Sequence, residues 1–218
     1  MTFKDKCSII WVSIPKGDNE MIIILMGMSA VGKDSVRRVL ERDYGYRNIV
    51  SYTSRGMRVG EENGIDYHFV SKEQFNNMIN NNEMIEYRSY ETNWNGNIDT
   101  WFYGIKKFEL DEDKDYVVVI DLMGAESIIN YFGRENCTLI YLNAYDKTRE
   151  LRARNRGSFD ETEWKRRLLA DYKDFSFINL QAFENKYKVW KISNELRGDK
   201  ALGEIASVID FIVQGRLY

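Results

Sequence analysis

Met21-Ile22-Ile23-Ile24-Leu25-Met26-Gly27-Met28-Ser29-Ala30-Val31-Gly32-Lys33-Asp34-Ser35 is the stretch from which the rest of the chain can be read. Its first six residues are almost wholly apolar, the pattern of a central strand in a parallel sheet covered on both faces. Beyond it, from Asp34 to Asp43, Val36, Val39 and Leu40 recur at helical spacing. Between strand and helix stands Gly-x4-Gly-Lys, from Gly27 to Lys33. Glycines let the backbone curl so that successive N–H groups point inward at phosphate oxygens. The lysine reaches the β- and γ-phosphates, and the following helix presents its positive end. The loop reads as an ATP-phosphate cradle made by Gly27, Ser29, Ala30, Val31, Gly32, Lys33, Asp34 and Ser35, with Lys33 as a catalytic cation. The eighth position of the motif, usually a Ser or Thr whose hydroxyl meets Mg2+, is Asp34, and Ser35 follows. Two readings of Asp34 stay open: an approach to the metal through water, or a favourable acid in the first helical turn. Mg2+ is expected as the cofactor, held through the phosphates with no direct protein ligand assigned and Asp34 or Ser35 left open as a neighbour.

Outward from this stretch the same rhythm recurs. Tyr116–Ile120 and Thr138–Leu142 are buried-strand patterns, each followed by a helical stretch. Lys188–Ile192 is a weaker strand before a closing helix over about residues 199–213. Strands alternating with helices argue for an α/β fold with a mostly parallel sheet. Residues 51–112 break the rhythm with polar segments, short strand patterns and the turn signal Asn93-Trp94-Asn95-Gly96, which reads as an antiparallel insertion. Residues 147–163 are dense in arginine. At the start, Ser8–Ile14 is a short apolar run without a small-residue cleavage site, so residues 1–20 read as an extra strand rather than a signal peptide.

Composition narrows the chemistry. Among 218 residues there is one histidine, His68, and two cysteines, Cys7 and Cys137. A zinc site has no recognisable ligand set, and a histidine-based hydrolase triad would have His68 alone to use. Thirty-one Lys+Arg against 34 Asp+Glu give a net charge of −3, which argues against nucleic acid as the main partner. No apolar run approaches the roughly 20 residues that span a bilayer, so no membrane role is expected. Two distant cysteines fit a reducing cytoplasm. Chemistry by lysine, arginine and carboxylates survives.

The segment Ser51-Tyr52-Thr53-Ser54-Arg55-Gly56-Met57-Arg58-Val59-Gly60-Glu61-Glu62-Asn63-Gly64-Ile65-Asp66-Tyr67-His68-Phe69-Val70 makes the reading specific. Arg55 and Arg58 stand three apart with a tyrosine nine residues further on, and two guanidinium forks with a phenol can clamp one phosphate dianion. The segment resembles the signature S-x-x-T-R-x-x-R-x-G-E-x-x-G-x-D-Y-x-F-V of guanylate kinases, and the likeness runs from about residue 21 to the end. The resemblance implies transfer of the γ-phosphoryl of ATP to GMP or dGMP, giving ADP and GDP or dGDP. It also implies a P-loop NTPase core (residues 21–50, 113–146 and 164–218), a mixed α+β GMP-binding insertion (51–112) and a small arginine-bearing lid (147–163). It assigns the acceptor phosphate to Arg55, Arg58, Tyr67 and Tyr103, and the base to Ser51 and Glu86. Asp121 falls at the end of a core strand facing the nucleotides. His68 sits at a position that the family leaves variable and reads as a bystander.

By spacing, Arg152, Arg156 and Arg167 fall on the family's lid and core arginines and are the remaining catalytic candidates. Arg149, Arg154 and Arg166 read instead as a salt-bridged surface, because Glu150, Asp160, Glu161 and Glu163 are near them in sequence. The chain also departs from the family. Ile105 replaces the Ser or Thr after Tyr103-Gly104. The hairpin over residues 88–102 is longer than usual. Val119 and Met123 stand where an acid and a glutamine are expected. These changes leave a kinase of broader or altered deoxynucleotide specificity as an alternative. A non-catalytic interaction module is a further one, although such modules lose the phosphate-loop residues that this chain keeps. Lys191–Leu196 matches the family only loosely and contributes no assigned residue.

Overall fold

The computed structural model describes residues 21–58, 60–94, 97–111, 113–155, 159–195 and 198–215. The expected N-terminal strand, Asn95 and Gly96 of the Asn93–Gly96 turn, and Arg156 therefore lie outside the described residues. In chain order the elements are β1 (Ile22–Met26), α1 (Lys33–Tyr44), β2 (Arg47–Asn48), β3 (Tyr52–Thr53), β4 (His68–Phe69), α2 (Lys72–Asn80), β5 (Met84–Trp94) and β6 (Asn97–Lys106). They continue with β7 (Tyr116–Val119), α3 (Leu122–Phe132), β8 (Cys137–Asn143), α4 (Asp146–Arg154), α5 (Glu161–Asp174), α6 (Phe177–Lys186), β9 (Val189–Ser193) and α7 (Asp199–Val213).

The apolar run that opened the sequence is β1, and every residue of it is fully buried. Alternation along a strand sends successive side chains to opposite faces, so a strand this apolar needs cover on both sides. It has it. Ile23 and Leu25 pack with Val36, Val39 and Leu40 of α1 and with Ile205 and Ile209 of α7. Ile22, Ile24 and Met26 pack on the other face with Leu122, Ala125 and Ile128 of α3, together with Phe175 and Phe183. β1 is the middle strand of a five-stranded sheet of order β2-β7-β1-β8-β9, and every pairing in it is parallel. The fold is α/β with a P-loop core.

A second sheet of four strands, in the order β4-β3-β6-β5, carries its own small core. Phe75 of α2 is fully buried there with Met78 and Met84, and its ring stacks on Phe102 at 5.4 Å. A capping box starts α2: the Ser71 side chain accepts from Gln74 N, and the Gln74 side chain accepts from Ser71 N. The sheet is mixed rather than wholly antiparallel, because β3 pairs parallel with β4 while β6 runs antiparallel to both β3 and β5. The physical reason is the connection over residues 54–67, long enough to bring the chain back in the same direction. α4 ends at Arg154.

Candidate active site

The loop after β1 has the backbone its glycines require. Gly27 lies at φ 144° and a Cβ there would come within 2.3 Å of Leu142 O. Gly32 lies at φ 102°, and a Cβ there would come within 2.5 Å of Asn194 Nδ2. Ala30, between them, takes φ 59°, a left-handed conformation that costs an L-residue roughly 1–2 kcal/mol. Lys33 is the first residue of α1, and its Nζ donates to Gly27 O (2.6 Å) and Met28 O (3.1 Å). Asp34 and Ser35 are exposed in the first turn of α1. Buried Val31 has a carbonyl that accepts from Arg152 Nη1 (3.1 Å) and Asn194 Nδ2 (2.8 Å). Arg152 therefore braces the loop, and its Nη2 donates to Asn194 Oδ1 at 3.4 Å.

Across a cleft of about 190 Å³ the loop faces the second sheet. Ser29, Lys33, Asp34, Ser51, Tyr67 and Arg167 all line this one cleft, so residues distant in sequence converge on it. Arg55 is 4 % exposed, and its forked guanidinium donates to Glu61 Oε2 (2.7 Å) and Oε1 (2.6 Å) while lying over the Tyr67 ring at 5.0 Å. Glu61 also accepts from Arg58 N at 2.8 Å, so one carboxylate holds both arginine positions. Burial and the neighbouring cations Arg167 and Arg55 hold the Arg58 guanidinium below its ordinary range. Burial, with the Asp34 charge nearby, pushes the Tyr67 phenol up to about 12, so it stays a donor at neutral pH. The Tyr67 and Tyr103 rings meet edge to face at 6.0 Å. The His68 and Tyr52 rings meet at a tilt with their centroids 4.5 Å apart, and burial lowers the pKa of His68.

Glu86 lies on β5 directly across from Ile105 on β6. It is 9 % exposed, and burial beside the Asp121 charge pushes its carboxyl up to about 7, with Arg88 and the Ile105 backbone pulling the other way. Ile105 is buried and apolar, so the cross-strand position offers no hydroxyl. Asp121 caps α3, accepting from Gly124 N at 2.7 Å through Oδ1, while its Oδ2 lies 3.6 Å from Arg88 Nε. Arg167 reaches the cleft held by Glu163, which accepts from its Nε at 2.8 Å and from Arg166. Despite its burial, those two arginines lower the Glu163 carboxyl to about 2.

Arg154 pairs with Glu150 and Glu161 on the surface, as the local charges predict. Arg149 does not. It is wholly buried and paired with Asp171 (2.9 Å) and Asp146 (2.8 Å), because the face of α4 that carries it packs against the phosphate loop. Sequence reasoning passed over Asp171 and Asn194. Asn194 followed the weak strand pattern of β9, but nothing local distinguished Asp171 from the other acids of a charged helix.

This fold and this cleft define a P-loop enzyme of the nucleoside monophosphate kinase class. The family model described as guanylate kinase matches residues 19–179, and the chain belongs to the guanylate kinase family. A guanylate kinase of Latilactobacillus sakei is 32 % identical over 208 residues, covering 87 % of this chain and 97 % of the relative. One from Fusobacterium nucleatum is 29 % identical over 194 residues, covering 87 % and 95 % respectively. The crystal structure of a guanylate kinase from Anaplasma phagocytophilum shares the fold, with a TM-score of 0.62 at 23 % identity over 95 % of this chain and 89 % of that one.

Proposed function

We propose that the enzyme transfers the γ-phosphoryl group of ATP to GMP or dGMP, giving ADP and GDP or dGDP. The observation that carries this is the shared cleft, where loop residues Ser29 and Lys33 stand opposite Ser51, Tyr67 and Arg167. On this reading Gly27, Ala30, Val31, Gly32, Lys33, Asp34 and Ser35 surround the donor phosphates, while Ser29, also expected there, has its polar groups engaged by Asp171 and Arg149. Arg55, Arg58, Tyr67 and Tyr103 hold the acceptor phosphate, and Ser51 and Glu86 face the base. Residues 21–50, 113–146 and 164–218 act as the core, 51–112 as the acceptor-binding insertion and 147–163 as the lid.

The two substrates bring close to four and roughly two negative charges into line, and cations must offset that repulsion. Lys33, Arg58 and Arg167 supply them, in a place where burial strengthens their effect. An acceptor phosphate oxygen forms its bond to the γ-phosphorus as the bond to the β-phosphate oxygen breaks, and the electron pair leaves with ADP. The attacking oxygen is already ionised, so no general base is needed, which fits a chain with one histidine. Among the described residues no group of three or more His, Cys, Asp or Glu could hold a metal. A single exposed carboxylate, Asp34, with Ser35 beside it, suits Mg2+, which keeps several waters and binds chiefly through nucleotide phosphates. When bound there, Mg2+ neutralises charge on those phosphates.

Glu86 as a carboxylate can accept from both N1–H and the exocyclic amino group of guanine, whereas adenine presents a lone pair at N1. Buried Ile105 supports a second reading, in which the base is discriminated less strictly or differently. A coupled assay with GMP, dGMP, AMP, dTMP and CMP separates them. GMP or dGMP turned over at least about 100-fold better than the rest supports the first reading, and comparable rates with several bases support the second. Turnover of none refutes both.

A further inference from the structure

Ser29 has three polar groups near the crest of the phosphate loop, and one pair of residues takes all three. Its N–H donates to Asp171 Oδ2 at 2.8 Å and its hydroxyl to Asp171 Oδ1 at 3.0 Å. Its carbonyl accepts from Arg149 Nη1 at 3.2 Å, and the same Nη1 donates to Asp171 Oδ2 at 2.9 Å. Arg149 is 0 % exposed and Asp171 8 %. Arg149 Nη2 reaches Asp146 at 2.8 Å, and Tyr172 donates to the other oxygen of Asp146. A set of charge-assisted bonds thus joins the loop to α4 and α5, although Arg149 Nε is buried without a hydrogen-bond partner.

We propose that Asp171 and Arg149 are positioning residues that hold the phosphate loop in its ligand-binding shape and set Arg167 against it. Two observations converge on this. The pair grips the residue immediately before Ala30, whose left-handed backbone persists only where its surroundings over-determine it. In addition, Asp171 stands four residues after Arg167 on α5, so one helix face carries Asp171 to the loop and Arg167 to the cleft. A buried ion pair is weak support for stability, since apolar residues of similar volume often replace one without loss. Its worth here is in geometry: it fixes both oxygens of a carboxylate on one loop residue. The inference rests on residues 27–33 being the donor-phosphate loop.

The test separates positioning from stability. The double variant Arg149→Met/Asp171→Leu removes the pair and fills its volume, and its melting temperature is expected within about 4 °C of wild type. Hydrogen exchange at the Ser29 and Ala30 amides of the nucleotide-free protein should then accelerate at least about tenfold, the equivalent of one lost charge-assisted bond. The KM for ATP should rise about tenfold or more and kcat should fall, while the KM for the acceptor stays within about twofold. Asp171→Asn, which keeps the shape and loses the charge, should fall between, and it decides by the same readouts if the double variant does not fold. Wild-type exchange and wild-type KM for ATP in a folded variant would overturn the proposal, as would a change in activity that merely follows melting temperature. A wild-type protein that binds no nucleoside triphosphate would instead refute the donor-loop reading, and exchange in the free protein would still decide whether the pair holds the loop.

Discussion

Moving from pH 8 to pH 6 takes Glu86 through its titration, and the proposed base recognition should follow it. Burial beside Asp121 pushes this carboxyl up to about 7. It is then about nine-tenths ionised at pH 8 and about one-tenth at pH 6. Only the ionised form accepts from two N–H groups of a guanine, because the protonated form turns one oxygen into a donor. Initial rates with GMP at constant Mg·ATP should therefore give an acceptor kcat/KM that falls about tenfold over this interval. The acceptor phosphate has its own second ionisation near 6, worth about a further factor of two at pH 6. Glu86→Gln separates the two effects. It should lose about 10–100-fold at pH 8, as expected for a charged hydrogen-bond acceptor, and retain only the phosphate's limb of the profile. Stability should move the other way. A carboxyl with a raised folded pKa favours the protonated folded state, so its contribution diminishes as pH rises from about 4.5 towards 7, by at most about 3 kcal/mol. Glu86→Gln should accordingly melt above wild type at pH 8. A flat wild-type profile from pH 6 to 8, or a variant that keeps the step near 7, would refute the reasoning.

Three other perturbations follow from the same geometry. Lys33→Ala should lower turnover by about 100-fold or more in a steady-state assay, as loss of a transition-state clamp does, with little change in melting temperature. Arg55→Ala with Arg58→Ala should do the same through the acceptor side, and near-normal turnover would remove these residues from the site. Phe75→Ala empties the centre of the small core under the second sheet and should destabilise the protein by about 3–5 kcal/mol in chemical denaturation.

Much of the core could be read because β1 is apolar at every position and the Gly-x4-Gly-Lys turn follows it directly. The acceptor segment could be read from its resemblance, and Ser51, Asp66 and Tyr67 of it line the cleft. Local charge misled the reading of Arg149. Acids near it in sequence suggested a solvated helix, but which face of α4 meets the loop depends on packing between elements far apart in the chain. α2 went unnoticed although Ser71 and Gln74 carry its capping box in plain sequence, because its polar residues outweighed the two apolar positions that it buries. Asp171 could not have been found, since its partner lies 142 positions away on the loop.

The central claim is that the loop at 27–33 and the segment at 51–67 bring a donor and an acceptor phosphate together in one cleft. The most direct measurement follows labelled γ-phosphate from ATP in the presence of GMP and Mg2+, with products separated by chromatography. Label should appear in GDP with equimolar ADP and little free phosphate, and transfer should fall about 100-fold or more in Lys33→Ala. Label released only as free phosphate, or left in ATP while the folded protein binds GMP, would contradict it.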